Sequence, residues 1–188
     1  MLLELITIIV ILALDQVSKH LVALHLSPVG SSVLVIDGLL RLTNVHNTGA
    51  AWGMLEGYRW LFIPMTLIVA AALVFLMIRF RSKLTVFSRI TLALLFAGAI
   101  GNFIDRLWLS YVRDFLDISP LFSFPVFNVA DSALSIGCVF LLIDALFLKN
   151  KSLFERISFQ KPGPVKKSKH EEADVKESVA DSSDKPHA

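Results

Sequence analysis

Four long apolar segments constrain this chain more than any other feature of its sequence. They cover roughly residues 3–25, 60–79, 88–109 and 129–148. A helix needs about 20 residues to cross a hydrocarbon core of about 30 Å. With 55% hydrophobic and 18% charged residues, the chain is too apolar for an ordinary soluble domain. The predicted fold class is an all-α membrane protein with four transmembrane helices.

The segment between the first two apolar runs follows a different pattern. Residues 31–53 read SSVLVIDGLLRLTNVHNTGAAWG, in which apolar and polar residues alternate and glycines mark turns. This alternation predicts short strands outside the hydrocarbon. We therefore expect a small extracytoplasmic β-rich segment between helices one and two.

The third apolar run is rich in small residues. Ala97, Gly98, Ala99 and Gly101 lie within two turns of the predicted helix. Small side chains let the backbone of another membrane helix approach closely. This helix is predicted to be the buried one of the bundle.

The distribution of Lys and Arg predicts the orientation in the membrane. RFRSK at residues 79–83 and KNK at 149–151 are densely basic, and basic loops stay on the cytoplasmic side. Both termini are therefore expected in the cytoplasm. The tryptophans and tyrosines lie in or beside the two loops on the other side, as an interfacial belt would: Trp52, Tyr58, Trp60, Trp108 and Tyr111.

Composition changes after the fourth apolar run. The end of the chain is rich in Lys, Glu, Ser and Asp, a composition typical of disorder. The chain is predicted to divide into a four-helix transmembrane domain, residues 1–150, and a disordered cytoplasmic tail, residues 151–188.

Charge, cysteine content and motifs exclude several function classes. The net charge is only +2 and the basic residues form no stripe, so no nucleic-acid partner is expected. The single cysteine, Cys138, allows neither an intramolecular disulfide nor a thiolate cluster. The GxSxG, HExxH and P-loop motifs do not occur.

Charged and amide residues interrupt the apolar runs in pairs. Asp15 and Lys19 share one helix face at a spacing of four, and Asn102 and Arg106 repeat that spacing. Each charge costs about 2.5–3.5 kcal/mol at the bilayer centre, so these residues need partners or water. For Asp15 and Lys19, a simple ion pair with Lys19 snorkelling outward and a functional role are equally favoured.

Asn128 and Asp131 open the fourth apolar run in the pattern of a helix cap. Asn is a preferred N-cap residue, and a carboxylate in the first turn is favoured by the helix dipole. Taken alone, this pattern favours a capping role over a catalytic one.

The predicted topology brings a second carboxylate to Asp131. Asp114 follows helix three on the side where Asp131 begins helix four, and a loop of modest length makes the two helices antiparallel neighbours. Two close carboxylates cannot both ionise easily, so the pair holds one proton and activates a water. This predicts aspartic-protease chemistry at a membrane surface.

Five ordered blocks carry a family resemblance. They are DQVSK, NVHNTGAAWG, AGAIGNFIDR, VRDFLD and FNVADSAL. Over roughly residues 10–148 the chain resembles the lipoprotein signal peptidases, the type II signal peptidases of bacteria. The resemblance implies an aspartic endopeptidase that removes signal peptides from prolipoproteins, cutting before a cysteine that carries a diacylglyceryl group.

The resemblance also implies site residues. The catalytic pair falls on Asp114 and Asp131, with no metal and no cofactor. The supporting or substrate-binding positions are Asp15, Lys19, Asn47, Gly49, Asn102, Arg106 and Asn128. Two further acids have a weaker claim: Asp105 is expected to pair with Arg106 or Lys19, and Asp117 to face solvent or a structural partner.

The expected partners and location follow from the resemblance as well. The partners are prolipoproteins with diacylglyceryl-cysteine and the membrane lipids themselves, and the protein is expected to be a monomer. The expected location is the bacterial cytoplasmic (inner) membrane, with the active site near its outer face.

Two hypotheses from other classes remain open at this point. A small transporter or proton-conducting bundle would also bury Asp15, Lys19 and Arg106, and should show inverted repeats or broken helices. A structural membrane subunit would account for the small residues and the aromatic belt, but not for acids clustered at one depth.

Overall fold

A computed structural model describes residues 1–49, 58–147 and 153 of the chain. The elements, in chain order, are α1 (Leu2–His25), β1 (Ser32–Ile36), β2 (Leu40–Asn47), α2 (Arg59–Arg79), α3 (Val86–Trp108), β3 (Val112–Asp117) and α4 (Val129–Phe147). The predicted tail, residues 151–188, lies outside the described residues except for Leu153, and so does Trp52.

The four helices confirm the predicted membrane spans. Within the described residues, four helices of 19 to 24 residues are long and apolar enough to cross a membrane. The predicted start of the third span, residue 88, falls two residues inside α3, which begins at Val86. The fold class is therefore confirmed as a mostly helical membrane protein with a small sheet.

Helix α3 lies at the centre of the bundle. It packs against α1, α2 and α4, and half of its apolar window is buried, compared with 11–22% for the other three helices. A Cβ atom at Gly98 would lie 2.5 Å from the Ala130 carbonyl oxygen, and one at Gly101 would lie 2.7 Å from Asp15 Oδ2. The small residues therefore admit the start of α4 and a polar side chain of α1, as the sequence predicts.

Hydrogen bonds show that α3 and α4 run antiparallel. Near the start of α3, Ser88 Oγ donates to Asp144 Oδ1 near the end of α4, at 3.1 Å. Near the end of α3, Asn102 Nδ2 donates to Asp131 Oδ1 at the start of α4, at 2.6 Å. The predicted antiparallel pair is confirmed.

The sheet corrects one detail of the sequence interpretation. Strands β1, β2 and β3 form an antiparallel sheet in that order. The sequence predicted strands only between helices one and two. A third strand, β3, lies between α3 and α4 and carries Asp114 and Asp117.

A long-range pairing explains why β3 is a strand. Its residues Asp114, Arg113 and Val112 pair with Val45, His46 and Asn47 of β2. On its other side, the backbone N–H groups of Phe115 and Leu116 donate to the Phe127 carbonyl. The strand β3 therefore has a backbone partner on each edge, and a pattern read locally does not contain that information.

Candidate active site

Asp114 and Asp131 reach one cavity from two different elements. Asp114 lies in the middle of β3 and is 2% exposed, and Asp131 lies in the first turn of α4. Both side chains line a cavity of about 660 Å³, together with Asn47, Asn102 and Arg106. The structure therefore brings five of the sequence-predicted residues to one place.

Asn128 and Asp131 form a reciprocal cap at the start of α4. The Asp131 N–H donates to Asn128 Oδ1 at 2.9 Å, and the Asn128 N–H donates to Asp131 Oδ2 at 3.1 Å. This is the capping-box arrangement, with each residue satisfying a backbone donor of the other. The cap predicted from the sequence is present, and it fixes the position of the Asp131 carboxylate.

The same asparagine also holds Asp114. The Asn128 side chain is fully buried, and its Nδ2 donates to Asp114 Oδ1 at 2.6 Å and to Asn102 Oδ1 at 3.1 Å. One residue therefore touches both aspartates. The capping interpretation and the catalytic interpretation of FNVADSAL are compatible.

Each remaining carboxylate oxygen has a donor of its own. Asn47 Nδ2 donates to Asp114 Oδ2 at 2.9 Å, and Asn102 Nδ2 donates to Asp131 Oδ1 at 2.6 Å. The Gly49 N–H in turn donates to Asn47 Oδ1 at 2.9 Å and orients the Asn47 amide. The two aspartates are therefore held in defined orientations toward the cavity.

Burial and the neighbouring carboxylate set the charge of Asp114. Burial raises the pKa of Asp114, the negative charge of Asp131 raises it further, and the Asn47 and Asn128 hydrogen bonds act against this; the result is a pKa of about 7, compared with an ordinary value of 3.8. At neutral pH this carboxyl is therefore present in both its protonated and its ionised form.

A buried ion pair contacts one of these asparagines, Asn102. Lys19 Nζ lies 2.8 Å from Asp15 Oδ2 and donates to Asn102 Oδ1 at 3.1 Å. Both charged side chains are fully buried, so of the two alternatives left open for this pair, the one in which Lys19 snorkels outward does not hold. Asp15 Oδ1 also accepts from the Ala130 N–H at 2.9 Å, which ties α1 to the first turn of α4.

Asp105 has a different partner from the one expected. Its carboxylate accepts three hydrogen bonds from Arg113, from the backbone N–H at 3.0 Å, Nε at 3.2 Å and Nη2 at 2.7 Å. Lys19 Nζ lies 3.5 Å away. The expected pairing with Arg106 is not seen, whereas the expected pairing with Lys19 is.

Arg106 turns toward the cavity instead. Its Nη2 donates to the Gly49 carbonyl at 3.0 Å, and its guanidinium lies over the Phe62 ring, 4.6 Å from the centroid. Among the described residues that line the cavity, Arg106 is the cation that accompanies the two aspartates.

Asp117 has structural partners. It accepts from Thr43 Oγ1, Arg41 Nε and the Ser119 N–H, at 2.9, 3.1 and 2.9 Å. Burial acts to raise the pKa of Asp117, but hydrogen bonds from these three residues outweigh it and lower the pKa below the ordinary value. Asp117 therefore ties β3 to β2 and does not line the cavity.

Sequence reasoning missed two members of the buried network and the apolar cavity wall. Arg113 Nη2 donates to Gln16 Oε1 at 3.1 Å, and Gln16 Nε2 donates to Asp15 Oδ2 at 2.9 Å. The wall includes Phe124, Phe127 and Ile136. The spacing of these residues in the sequence gives no sign that they meet.

The described residues contain no cluster suited to a metal. Within them, no three His, Cys, Asp or Glu side chains are grouped so that they could hold a metal ion.

Comparison with known proteins decides the family. The family model described as signal peptidase (SPase) II matches residues 7–147, which include the two aspartates and nearly all of the four helices. The chain belongs to the signal peptidase II family. Family membership makes it a peptidase that removes signal peptides from prolipoproteins, and it decides against the transporter and structural-subunit hypotheses.

Individual lipoprotein signal peptidases match this chain over most of their length. The chain is 40% identical to the lipoprotein signal peptidase of Lactiplantibacillus plantarum, 43% to that of Staphylococcus haemolyticus and 44% to that of Geobacillus thermodenitrificans. These matches cover 76%, 76% and 73% of this chain and 93%, 90% and 85% of the relatives.

Solved structures show the same fold. Two structures of a bacterial membrane enzyme, determined by the in meso method at 2.3 and 1.9 Å resolution, share 37% identity with this chain. Their TM-scores are 0.71 and 0.69, and the matches cover 84% and 77% of this chain and 93% and 92% of theirs. This member of the family is therefore a multi-pass membrane protein.

Proposed function

We propose that this peptidase is an aspartic endopeptidase that cleaves just before a diacylglyceryl-modified cysteine, with Asp114 and Asp131 as its catalytic pair. The observation that carries the proposal is that both carboxylates line one cavity and are joined through the side chain and backbone of Asn128. Two carboxylates that share a site are the arrangement in which one stays protonated while the other activates water.

The two aspartates take different roles in this proposal. Asp131 accepts hydrogen bonds from the Asn128 N–H and from Asn102 Nδ2 in the first turn of α4, and the start of a helix is a favourable position for a negative charge. Asp114 has a pKa of about 7 and supplies the protonated member. Asp131 is therefore the general base and Asp114 the general acid.

The reaction proceeds without a covalent intermediate. Asp131 takes a proton from water as the water oxygen bonds to the scissile carbonyl carbon, while the Asp114 proton hydrogen-bonds to the carbonyl oxygen. Asp114 then gives its proton to the amide nitrogen, the carbon–nitrogen bond breaks as the oxyanion re-forms a carbonyl, and the amine is released. The proton that Asp131 took from water remains as the single proton of the pair. Asn47, Asn102 and Asn128 hold the two acids in place throughout.

The remaining predicted residues have supporting roles in the proposal. Asp15 and Lys19 position Asn102 and the first turn of α4. Arg106 faces the cavity and binds the Gly49 carbonyl, so it is placed to meet a substrate carbonyl or phosphate oxygen. The charge and position of these groups support binding of the substrate backbone beside the dyad.

The geometry of α3 supports an active site near the outer face of a bacterial inner membrane. The basic loop at 79–83 precedes α3, and β3 with Asp114 follows it. A helix of 23 residues is about 34 Å long, so the loop and the catalytic strand lie at opposite membrane faces. With the basic loop in the cytoplasm, both termini are cytoplasmic and Asp114 lies outside.

We propose the domain organisation predicted from the sequence as well. Residues 1–150 are the catalytic membrane domain, and residues 151–188 are a polar tail. The enzyme acts as a monomer surrounded by membrane lipids, and it needs neither a metal nor another cofactor.

Cleavage of a modified prolipoprotein tests the proposal. Purified protein in detergent is incubated with a diacylglyceryl-modified prolipoprotein, and the product is followed by its shift on a gel. Wild type and the control Asp37→Asn, which alters an exposed acid in the β1–β2 turn, should cleave equally. Asp114→Asn and Asp131→Asn should each lower kcat by a factor of about 10³ or more.

Three results would overturn the assignment. They are no cleavage by wild type, full activity of either aspartate variant, and loss of wild-type activity in EDTA. The last result would indicate a metallopeptidase.

A further inference from the structure

Arg113 and Gln16 have no role in the mechanism proposed above. Arg113 lies on β3 directly before Asp114, and Gln16 lies on α1 directly after Asp15. Successive side chains of a strand point to opposite faces, so Arg113 points away from the face that presents Asp114 to the cavity. Neither Arg113 nor Gln16 is among the described residues that line the cavity. Any effect of Arg113 on the reaction is therefore indirect.

Arg113 satisfies both carboxylate oxygens of Asp105. Its Nη2 donates to Oδ1 at 2.7 Å, and its Nε and backbone N–H donate to Oδ2 at 3.2 and 3.0 Å. The Asp105 side chain is fully buried and that of Arg113 is 16% exposed. A buried carboxylate bound by a guanidinium in this way needs no second cation.

Four charged side chains next to Asn102 are in contact with one another, and their charges cancel. They are the acids Asp15 and Asp105 and the cations Lys19 and Arg113. Lys19 Nζ lies 2.8 Å from Asp15 Oδ2 but 3.5 Å from Asp105 Oδ2. The shorter distance pairs Lys19 with Asp15, and Arg113 is the principal partner of Asp105.

Lys19 uses a further donor to hold the Asn102 amide. An ammonium group has three N–H donors, and Lys19 Nζ donates to Asn102 Oδ1 at 3.1 Å. Asn128 Nδ2 donates to the same oxygen, also at 3.1 Å. These contacts turn Oδ1 toward Lys19 and leave Nδ2 to donate to Asp131 Oδ1 at 2.6 Å. The orientation of the Asn102 amide therefore depends on where the Lys19 ammonium lies.

Removal of the Arg113 side chain would give Lys19 a second buried carboxylate to neutralise. Asp105 would lose both of its guanidinium donors and would still lie near Lys19 Nζ, now 3.5 Å away. A buried carboxylate without a cation is strongly unfavourable, so the ammonium would move toward Asp105. The neutral Asn102 oxygen competes poorly with a carboxylate for the same donor.

We propose that Arg113 is a positioning residue for the catalytic pair. By neutralising Asp105, it leaves Lys19 bound to Asn102. The Asn102 amide in turn donates to Asp131, the general base of the proposed function on which this inference rests.

Gln16 connects the two ion pairs of the cluster. Its Oε1 accepts from Arg113 Nη2 at 3.1 Å, and its Nε2 donates to Asp15 Oδ2 at 2.9 Å. Nε2 also donates to the Gly101 carbonyl at 3.2 Å, which orients the Gln16 amide. Because Gln16 is neutral, it aligns the two ion pairs without changing their charge balance.

The kinetics of Arg113→Met test the positioning role. Methionine keeps a long, unbranched side chain and removes the charge. The hydrogen bond from Asn102 to the ionised Asp131 should weaken, and loss of such a bond corresponds to a fall in kcat of about 10- to 100-fold. KM should change by less than about 2-fold, because Arg113 is not among the described residues that line the cavity.

Two rescue variants separate charge balance from a purely structural role. Arg113→Lys keeps a cation beside Asp105. Arg113→Met/Asp105→Asn removes one charge of each sign, so Asp15 and Lys19 remain as a neutral pair and Lys19 has no second carboxylate to approach. Both variants should keep kcat within about 5-fold of wild type. The double variant has no ion pair between β3 and α3, so its recovery could not come from such a tie.

Arg41→Met is the matched control. Arg41 of β2 pairs with Asp117 of β3, with Nη2 2.9 Å from Oδ2, and neither is among the described residues that line the cavity. The substitution removes the same kind of side chain from the same sheet without altering the charges around Lys19. It should leave kcat within about 2-fold of wild type.

The assay is cleavage of a diacylglyceryl-modified prolipoprotein in detergent, with Tm measured for every variant. Wild-type kcat in Arg113→Met, or a fall in kcat of more than about 5-fold in the double variant, would overturn the inference. If Arg113→Met does not fold, Arg113→Gln takes its place, because its amide removes the charge but can still donate to Asp105. The same fall in kcat and the same rescue by Asp105→Asn are then expected.

Failure of this inference can be told apart from failure of the proposed function. If wild type does not cleave the prolipoprotein, the proposed function fails. If wild type cleaves it and Asp131→Asn does not, but Arg113→Met cleaves as fast as wild type, only the positioning role of Arg113 fails.

Discussion

Asn128 has two functions that different substitutions should separate. Its Oδ1 accepts from the Asp131 N–H and caps α4, whereas its Nδ2 donates to Asp114 at 2.6 Å. Serine is also a preferred N-cap, so Asn128→Ser keeps an acceptor for the cap and removes the donor to Asp114. Asn128→Ala removes both.

The two losses have different sizes and appear in different measurements. A hydrogen bond to a charged group contributes about 1.5–3 kcal/mol, which corresponds to a fall in kcat/KM of about 10- to 150-fold if it is lost at the transition state. Loss of the N-cap costs about 1 kcal/mol of stability. Both variants should therefore lose activity, and Asn128→Ala should also have the lower Tm.

The pH dependence of activity tests the role of Asn128 more sharply than the losses of activity and Tm do. The Asn128 donor favours the ionised form of Asp114 and opposes the rise of its pKa to about 7. Without the donor, the pKa of Asp114 rises further. Because the proposed mechanism needs Asp114 protonated, activity falls as pH rises through this pKa, and the alkaline limb of the Asn128→Ser profile should move to higher pH.

The assay is kcat/KM for cleavage of a modified prolipoprotein, measured from mildly acidic to alkaline pH for wild type and both variants. Thr85→Ala is the control, because Thr85 Oγ1 caps α3 at the opposite end of the bundle. It should lower Tm and leave the pH profile unchanged. Wild-type activity of Asn128→Ser, or an alkaline limb shifted to lower pH, would refute the roles assigned to Asn128 and Asp114.

Three further predictions concern the buried polar groups. The pKa of Asp114 is raised from 3.8 to about 7, so its ionisation destabilises the fold as pH rises between these values. The Tm of Asp114→Asn minus that of wild type should therefore increase over this pH range. A Tm difference that is independent of pH would contradict this. Lys19→Met leaves Asp15 buried without its cation and should cost about 3–5 kcal/mol in a denaturation experiment, whereas Arg81→Met in an exposed loop should change stability by less than about 0.5 kcal/mol. Gly101→Ala places a Cβ 2.7 Å from Asp15 Oδ2 and should lower both Tm and activity, and an unchanged Tm would show that α1 can yield at this contact.

Features that depend on neighbouring residues in the chain could be predicted from the sequence. The four spans are visible because each helix needs about 20 apolar residues of its own. The Asn128–Asp131 cap is likewise local, because donor and acceptor are three positions apart in the chain. Even the meeting of Asp114 with Asp131 follows from the short connection between two antiparallel helices.

Features that depend on distant partners could not be predicted. The residues VRDFLD form a strand because β2 offers an edge more than 60 residues away in the chain, with Val45 paired to Asp114. The Asp105–Arg113 pair depends on the reversal after α3, where Ser110 adopts a φ of 73° in the left-handed region. Neither the strand partner nor the reversal leaves a pattern that distinguishes Arg113 from Arg106 as the partner of Asp105.

The first turn of α4 explains why so many polar residues lie within this apolar bundle. A helix start leaves N–H groups without partners, and where that start is buried, as at Asn128 and Ala130, side chains have to satisfy them. Here Asp15 of α1 accepts from the Ala130 N–H, and Asn128 and Asp131 satisfy one N–H of each other. Lys19 then neutralises Asp15. The helix that carries Asp131 is thus fixed at its start by α1, so a disturbance of Asp15 should displace a catalytic carboxylate that it never touches.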